Sequence, residues 1–255
     1  MEILMSEKHF TFIVTAYNCE QWIRKCIESI FNQEYTNYEV IIINASSDDH
    51  TGDIITKVIS EHPEHYNKTI FLTNTHRCYQ TENILNGVKF CREDTICVSV
   101  DGDDWLPNQF VLNILNEVYT DNVWMTYGSY SHADGSGPPD GHYHRYPPEV
   151  ISTGSYRIYE KWLSSHLRTW RRSLFLHIKD EDLRYNGTYP EVTGDMFFMY
   201  PMLEMAAERQ EFVNPVMYIY NTNNPISDGT IRGQEQASLA DWIKQRPAYS
   251  RLESL

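Results

Sequence analysis

Strand-like and helix-like segments alternate through the first half of this chain, and no other pattern in it limits the fold so strongly. Phe10 to Ala16 is an apolar, β-branched run, and Glu20 to Phe31 then sets Ile23, Ile27 and Ile30 at helical spacing. Glu39 to Ile43 returns to a continuous apolar strand pattern, which closes one β-α-β unit. A helix starting near Thr51 and carrying Ile54, Ile55, Val58 and Ile59, a strand at Thr69 to Thr73 and a helix at Glu82 to Cys91 repeat the cycle. Ile96 to Val100 is the next strand. It runs directly into Asp101-Gly-Asp-Asp-Trp105, after which Pro107 suits the first turn of a helix reaching Tyr119. Such alternation predicts an α/β fold with a mainly parallel central sheet covered on both faces.

The pattern changes after a strand at Val123 to Tyr130. His132 to Glu149 is rich in Gly, Pro, His, Asp and Tyr and reads as a loop; beyond it the chain is more helical. Helices are expected at Ser155 to His166, near Ser173 to Ile178, and at Asp195 to Glu208. A short strand follows at Val216 to Tyr220, turn-forming residues fill Asn221 to Gly233, and Glu235 to Gln245 places Leu239, Trp242 and Ile243 on one face of a last helix. At 255 residues the expectation is one domain with two halves, 1–130 and 131–228, and a tail at 229–255.

Acidic residues number 35 against 21 basic, a formal charge of −14, which argues against nucleic acid or an anionic membrane surface as the main partner. No apolar stretch approaches the roughly 18 residues of a membrane span. The first ten residues carry acids where a secretion signal needs a basic and then an apolar run, so none is expected. Cys19, Cys26, Cys78, Cys91 and Cys97 form no Cys-x-x-Cys pair and suggest reduced thiols rather than a disulfide framework or a zinc site. The three Asn-x-Ser/Thr matches, at Asn44, Asn67 and Asn186, are read as chance.

Asp101, Asp103 and Asp104 crowd three carboxylates into four positions, which is costly unless a cation or a hydrogen-bond network holds them. Hard oxygen donors suit Mg²⁺ or Mn²⁺, shared with the oxygens of a diphosphate. Their place at a strand's carboxyl end is where open α/β sheets bind ligands. The plainer reading is an acidic turn in which Asp104 caps the following helix. No EF-hand register and no phosphate-cradling Gly-x-x-x-x-Gly-Lys is present.

Ile13-Val-Thr-Ala-Tyr-Asn18, Glu39-Val-Ile-Ile-Ile-Asn44 with Ser47-Asp-Asp-His-Thr51, and Ser99-Val-Asp-Gly-Asp-Asp-Trp105 stand in the order and spacing of family 2 inverting glycosyltransferases of the GT-A fold, and the chain resembles that family. The likeness is strongest over residues 8 to 130. It extends more loosely through Thr193-Gly-Asp-Met-Phe-Phe-Met-Tyr-Pro-Met-Leu-Glu204 and Tyr218-Ile-Tyr-Asn-Thr-Asn-Asn-Pro-Ile-Ser-Asp228, which look like a bacterial and viral subgroup. The resemblance implies a Rossmann-like nucleotide-binding half and a more helical acceptor-binding half. It implies a metal-dependent transfer of sugar from a nucleotide-diphosphate donor, first of all a UDP-sugar, to a hydroxyl of a glycan acceptor, in the cytoplasm of a bacterium or of a virus-infected host.

By matched position, Thr15, Ala16, Tyr17, Asn44, Asn83 and Asp101 fall to the donor nucleotide, and Asp101, Asp103 and His166 to the metal, Mn²⁺ or Mg²⁺, with Asp104 in support. Asp195 falls to the general base that takes the acceptor's proton, with Glu191 as the fallback and an N-cap as its plainer role. The departures are Ala45 where a carboxylate often contacts uracil, Glu82 where an Arg is usual, and Gly194 where the family has Glu. They support a second reading, a module that binds a sugar nucleotide or glycan without transfer. Ser165 to Arg172 is the densest basic stretch: Arg168, Arg171 or Arg172 suits a diphosphate or an anionic acceptor and Trp170 a sugar face, or the whole is a solvated helix face with one core Trp. His142 and His144, in the loop, are weaker candidates.

Overall fold

The computed structural model describes residues 7–137, 144–226 and 231–255; His142 lies outside them. Strands β1 (Phe10–Ala16), β2 (Tyr38–Asn44), β3 (Thr69–Thr73) and β4 (Ile96–Asp101) alternate with helices α1 (Ile23–Phe31), α2 (Thr51–Glu61) and α3 (Gln80–Phe90). Then come α4 (Val111–Val118), β5 (Met125–His132), α5 (Pro148–Thr153), β6 (Arg168–Arg171), α6 (Arg172–Phe175), α7 (Gly194–Ala206), β7 (Gln210–Tyr220) and α8 (Gly233–Lys244). One seven-stranded sheet, in the order β3-β2-β1-β4-β6-β5-β7, runs through both halves of the chain. Its pairs are parallel except those of β6, which is antiparallel to β4 and β5.

The continuous apolar strands exist because both faces are covered. Phe12 and Val14 of β1, with Val40 and Ile42 of β2, pack under Ile23 and Ile27 of α1, Ile55 and Val58 of α2 and Leu112 and Leu115 of α4. Ile13, Ile41 and Ile43 point the other way, toward Ile84 and Val88 of α3 and the nearly all-buried α7. That helix is apolar all round because the sheet, α3, α6 and α8 enclose it.

Several expected elements differ. Ser155 to His166 forms turns, not a helix. Tyr156, Tyr159, Trp162 and Leu163 imitate helical spacing, but Gly154, at φ 65°, terminates the short α5. Tyr156 and Leu163 then fold in around Tyr146, whose hydroxyl accepts the Leu163 N–H. Arg168 to Arg171 is a strand rather than a helix face. Pro107 precedes α4 instead of opening it, since the Leu106 N–H is taken by Ser29 Oγ and the Asn108 carbonyl by Gln33. β7 begins at Gln210, six residues before the expected start, and α5 occupies part of the expected loop.

Candidate active site

The carboxyl ends of β1 and β4 lie side by side, Thr15 in register with Asp101, and a cleft of about 270 Å³ opens above them. Asp101 receives hydrogen bonds from Thr15 Oγ1 at 3.2 Å and Gln80 Nε2 at 3.0 Å, both to Oδ1. The turn after it is tight. A Cβ on Gly102 would stand 2.9 Å from that of Ala16, so a glycine lets the acidic loop cross the end of β1. Asp104 is turned inward at 1% exposure; Oδ1 accepts the Asn221 N–H at 2.7 Å. Its Oδ2 is buried with no partner of good geometry, beside the Tyr218 hydroxyl, which accepts the Asp101 N–H and keeps its own proton toward Asp104. Asp103 lines the cleft and accepts from Asn224 Nδ2 at 2.8 Å. The end of β7 thus braces the acidic turn.

Because β6 runs antiparallel, its start lies at the same edge, with Arg168 opposite Ser99 of β4. This carries His166 to the acids, and Asp101, Asp104 and His166 bring ligand atoms within 4.8 Å of one another; the acid grouped with Asp101 and His166 is thus Asp104, expected only in support, rather than Asp103. The imidazole stacks on Tyr218 at 4.4 Å and on Tyr220 at 5.4 Å. Burial, and then the Arg168 guanidinium, hold its pKa well below the usual value, so the ring is neutral and keeps one nitrogen lone pair. Burial also raises Asp101, against the pull of Arg168, and raises Asp104 far more, where Asp103 and Asp101 add to the effect. Two buried carboxylates that resist ionisation, one buried oxygen without a proper partner, and a neutral imidazole fit a divalent cation, which would offset that electrostatic cost.

Asp195 faces this cluster from the first turn of α7. Arg168 Nη2 donates to its Oδ2 at 2.6 Å, and Oδ1 accepts the Met196 N–H at 2.9 Å. It is not the N-cap, a place held by Thr193 at φ 57°. Gly194 has a steric reason to replace a larger residue: a Cβ there would meet Thr81 Oγ1 at 2.7 Å, where α7 abuts α3 and Thr81 donates to the Gly194 carbonyl.

Other expected residues divide. Thr15, Ala16, Tyr17 and Asn83 line the cleft, as do Arg168 and Glu191. Asn83 holds the preceding loop by donating to the Cys78 carbonyl and accepting from Asn74. Glu191 is half exposed and paired with Arg232 at 2.8 Å. Asn44 does not line the cleft: its Oδ1 accepts both the N–H and the hydroxyl of Ser47, and Ala45 takes the cleft position. Trp170 is fully buried against Phe175 and Phe198 and is a core side chain, out of reach of a sugar. Arg171 and Arg172 donate to the carbonyls of Val123, Thr120 and Val88. Among the cleft residues without a sequence signal are Gln80 and Arg77, the latter stacked 3.3 Å from the Tyr17 ring centre. Arg77 brings a cation to the cleft five positions before Glu82, where the family has its arginine.

The sheet with acids at its carboxyl edge is that of a GT-A fold, as comparison with solved glycosyltransferase structures shows. The chain belongs to glycosyl transferase family 2, whose model matches residues 11–199. It is similar to the UDP-Glc:α-D-GlcNAc-diphosphoundecaprenol β-1,3-glucosyltransferase WfaP of Escherichia coli, 28% identical over 120 residues that cover 47% of this chain and 45% of that protein. The matched part spans less than half the length of the curated relatives it resembles. Among solved structures it is similar to the mannosyltransferase PcManGT of Pyrobaculum calidifontis in complex with GDP-Man and Mn²⁺, with TM-score 0.66 and 18% identity over 96% of this chain and 66% of that one. Staphylococcus aureus TarS in complex with UDP-GlcNAc gives TM-score 0.61 and 18% identity, over 85% and 59%. Among the described residues no helix is long and apolar enough to cross a membrane.

Proposed function

We propose that this chain transfers a sugar, with inversion, from a nucleotide-diphosphate donor to a hydroxyl of a glycan acceptor, using a divalent cation held by Asp101, Asp104 and His166, with Asp103 beside them. The observation that carries this reading is the meeting of that cluster with Asp195 across one cleft. Mn²⁺ or Mg²⁺ bound there supplies positive charge against the charge that grows on the leaving diphosphate. Arg168, next to both His166 and Asp195, orients the Asp195 carboxylate, which takes the acceptor proton as its oxygen attacks the anomeric carbon. One carboxylate suffices, whereas a hydrolase needs two flanking the bond. Tyr17 and Ala45 line the side of the cleft matched to the nucleotide base. A UDP-sugar is the first donor to test, supported by the UDP donors named for the relative and for one structural neighbour.

The test is release of free nucleotide from UDP-, GDP-, dTDP- and CDP-sugars with a panel of glycan acceptors and Mn²⁺. Turnover by the wild type, with Asp195→Asn slower by about 10²–10⁴-fold, supports the reading. Full activity of Asp195→Asn contradicts the assignment of the base, and nucleotide binding without transfer to any acceptor favours a binding module.

A further inference from the structure

The loop between β3 and α3 gathers a second set of ligand atoms outside the acidic cluster. His76, Cys78 and Glu82 place an imidazole nitrogen, a thiol sulfur and a carboxylate oxygen within 4.8 Å of one another. Cys78 Sγ and His76 Nε2 are already 3.6 Å apart. Tetrahedral zinc, with bonds of about 2.0–2.3 Å, holds its ligand atoms about 3.3–3.8 Å apart, so this pair needs no rearrangement. The opposite ring nitrogen, Nδ1, lies 3.4 Å from Thr75 Oγ1, the kind of outer partner that fixes a metal-ligating histidine with its other nitrogen toward the ion. Glu82, in the first turn of α3, lies one helical turn beyond Cys78, and Asn83 pins the Cys78 carbonyl to the same turn at 3.0 Å.

We propose that His76, Cys78 and Glu82 form a binding site for a thiophilic divalent cation, zinc first, distinct from the hard-cation site at Asp101. The donor set decides the class of ion: thiolate and imidazole favour zinc over magnesium, and three protein ligands leave one position for water. As the metal–sulfur bond forms, the Cys78 thiol releases its proton to solvent. A cation held there bridges residues 76 to 82, the stretch from which Arg77, Tyr79 and Gln80 enter the cleft.

Cobalt(II) titrated into the intact protein tests this, because only a thiolate-bound ion gives the intense near-ultraviolet sulfur-to-cobalt absorption, which the oxygen and nitrogen donors of Asp101, Asp104 and His166 cannot produce. The expected result is one equivalent of absorption, displaced by one equivalent of zinc, abolished in Cys78→Ser and weakened at least tenfold in affinity in His76→Ala. The exposed position of His76 leaves folding of that variant intact. Cys19→Ser, which removes the thiol lining the main cleft, is expected to keep the signal. Absence of the absorption in the wild type, its survival in Cys78→Ser, unchanged affinity in His76→Ala, or its loss in Cys19→Ser alone overturns the proposal.

Discussion

Asp195 is held by two hydrogen bonds, one from Arg168 and one from the Met196 N–H, so its orientation is set before any acceptor arrives. Replacing it with Asn keeps the shape but removes the proposed base. The expected outcome is a kcat lower by about 10²–10⁴-fold with donor Kd changed little, measured by turnover and calorimetry. Gly194→Ala drives a Cβ to 2.7 Å from Thr81 Oγ1. That overpacking is expected to cost about 1–3 kcal/mol, read as a lower urea midpoint, and pairing it with Thr81→Gly is expected to recover part of the loss. At this scale Asp101, Asp103 and Asp104 were legible because they follow a strand whose apolar run is plain, whereas His166 was named from the family resemblance and Arg168 from a basic stretch, in a segment read as helix. Asn44 was not, since whether an amide faces a cleft or its own neighbours depends on the packing of α2; for Trp170 a sugar face and a core place were both open, and packing against Phe175 and Phe198 decides for the core. Arg77 sits in a loop whose path follows no periodicity, and Gln80 opens α3 two residues before the expected helix start.

Among the elements, β1, β2 and β4 were legible because strands buried on both faces are continuous apolar runs, and β3, a part-exposed edge strand, by its short β-branched run. β6 was hidden: its four residues include Arg168 and Arg171, whose charged heads reach Asp195 and two backbone carbonyls while Thr169 and Trp170 are buried. This short strand matters, since its antiparallel entry delivers both His166 and Arg168 to the edge where β4 ends. The turns at 155–166 were misread as helix for the opposite reason, apolar spacing without backbone pairing. They are anchored by Arg157, which is buried and makes a two-pronged ion pair with Glu204 of α7. Arg157→Ala strands the Glu204 carboxylate, whose pKa burial already raises against the pull of Arg157. A loss of about 3–5 kcal/mol is expected by chemical denaturation, while Arg157→Ala with Glu204→Leu is expected to lose less. Equal losses in the two variants contradict the ion-pair account.

For the whole molecule, acid is expected to act in part through His9, a buried histidine away from the cleft. Burial lowers the pKa of His9, opposed by Glu39, and His9 sits against the Thr95 hydroxyl at 2.7 Å. The unfolded chain therefore binds a proton there near the ordinary value of about 6.5 while the folded chain does not, so stability falls as pH drops through that value toward the lower folded pKa. Stability measured between pH 7.5 and 5.5 is expected to fall less steeply in His9→Gln than in the wild type, and identical slopes contradict this.

In the proposed function, a cation held by the buried cluster of Asp101, Asp104 and His166 serves a nucleotide in the adjoining cleft. The most direct test is the calorimetric Kd of UDP and GDP with and without Mn²⁺, in the wild type and in Asp104→Asn, with the folding of the variant checked by circular dichroism. Tightening of at least one nucleotide by Mn²⁺ in the wild type, lost in a folded Asp104→Asn, is the predicted result. Nucleotide binding that is indifferent to Mn²⁺, or equally enhanced in both proteins, contradicts it.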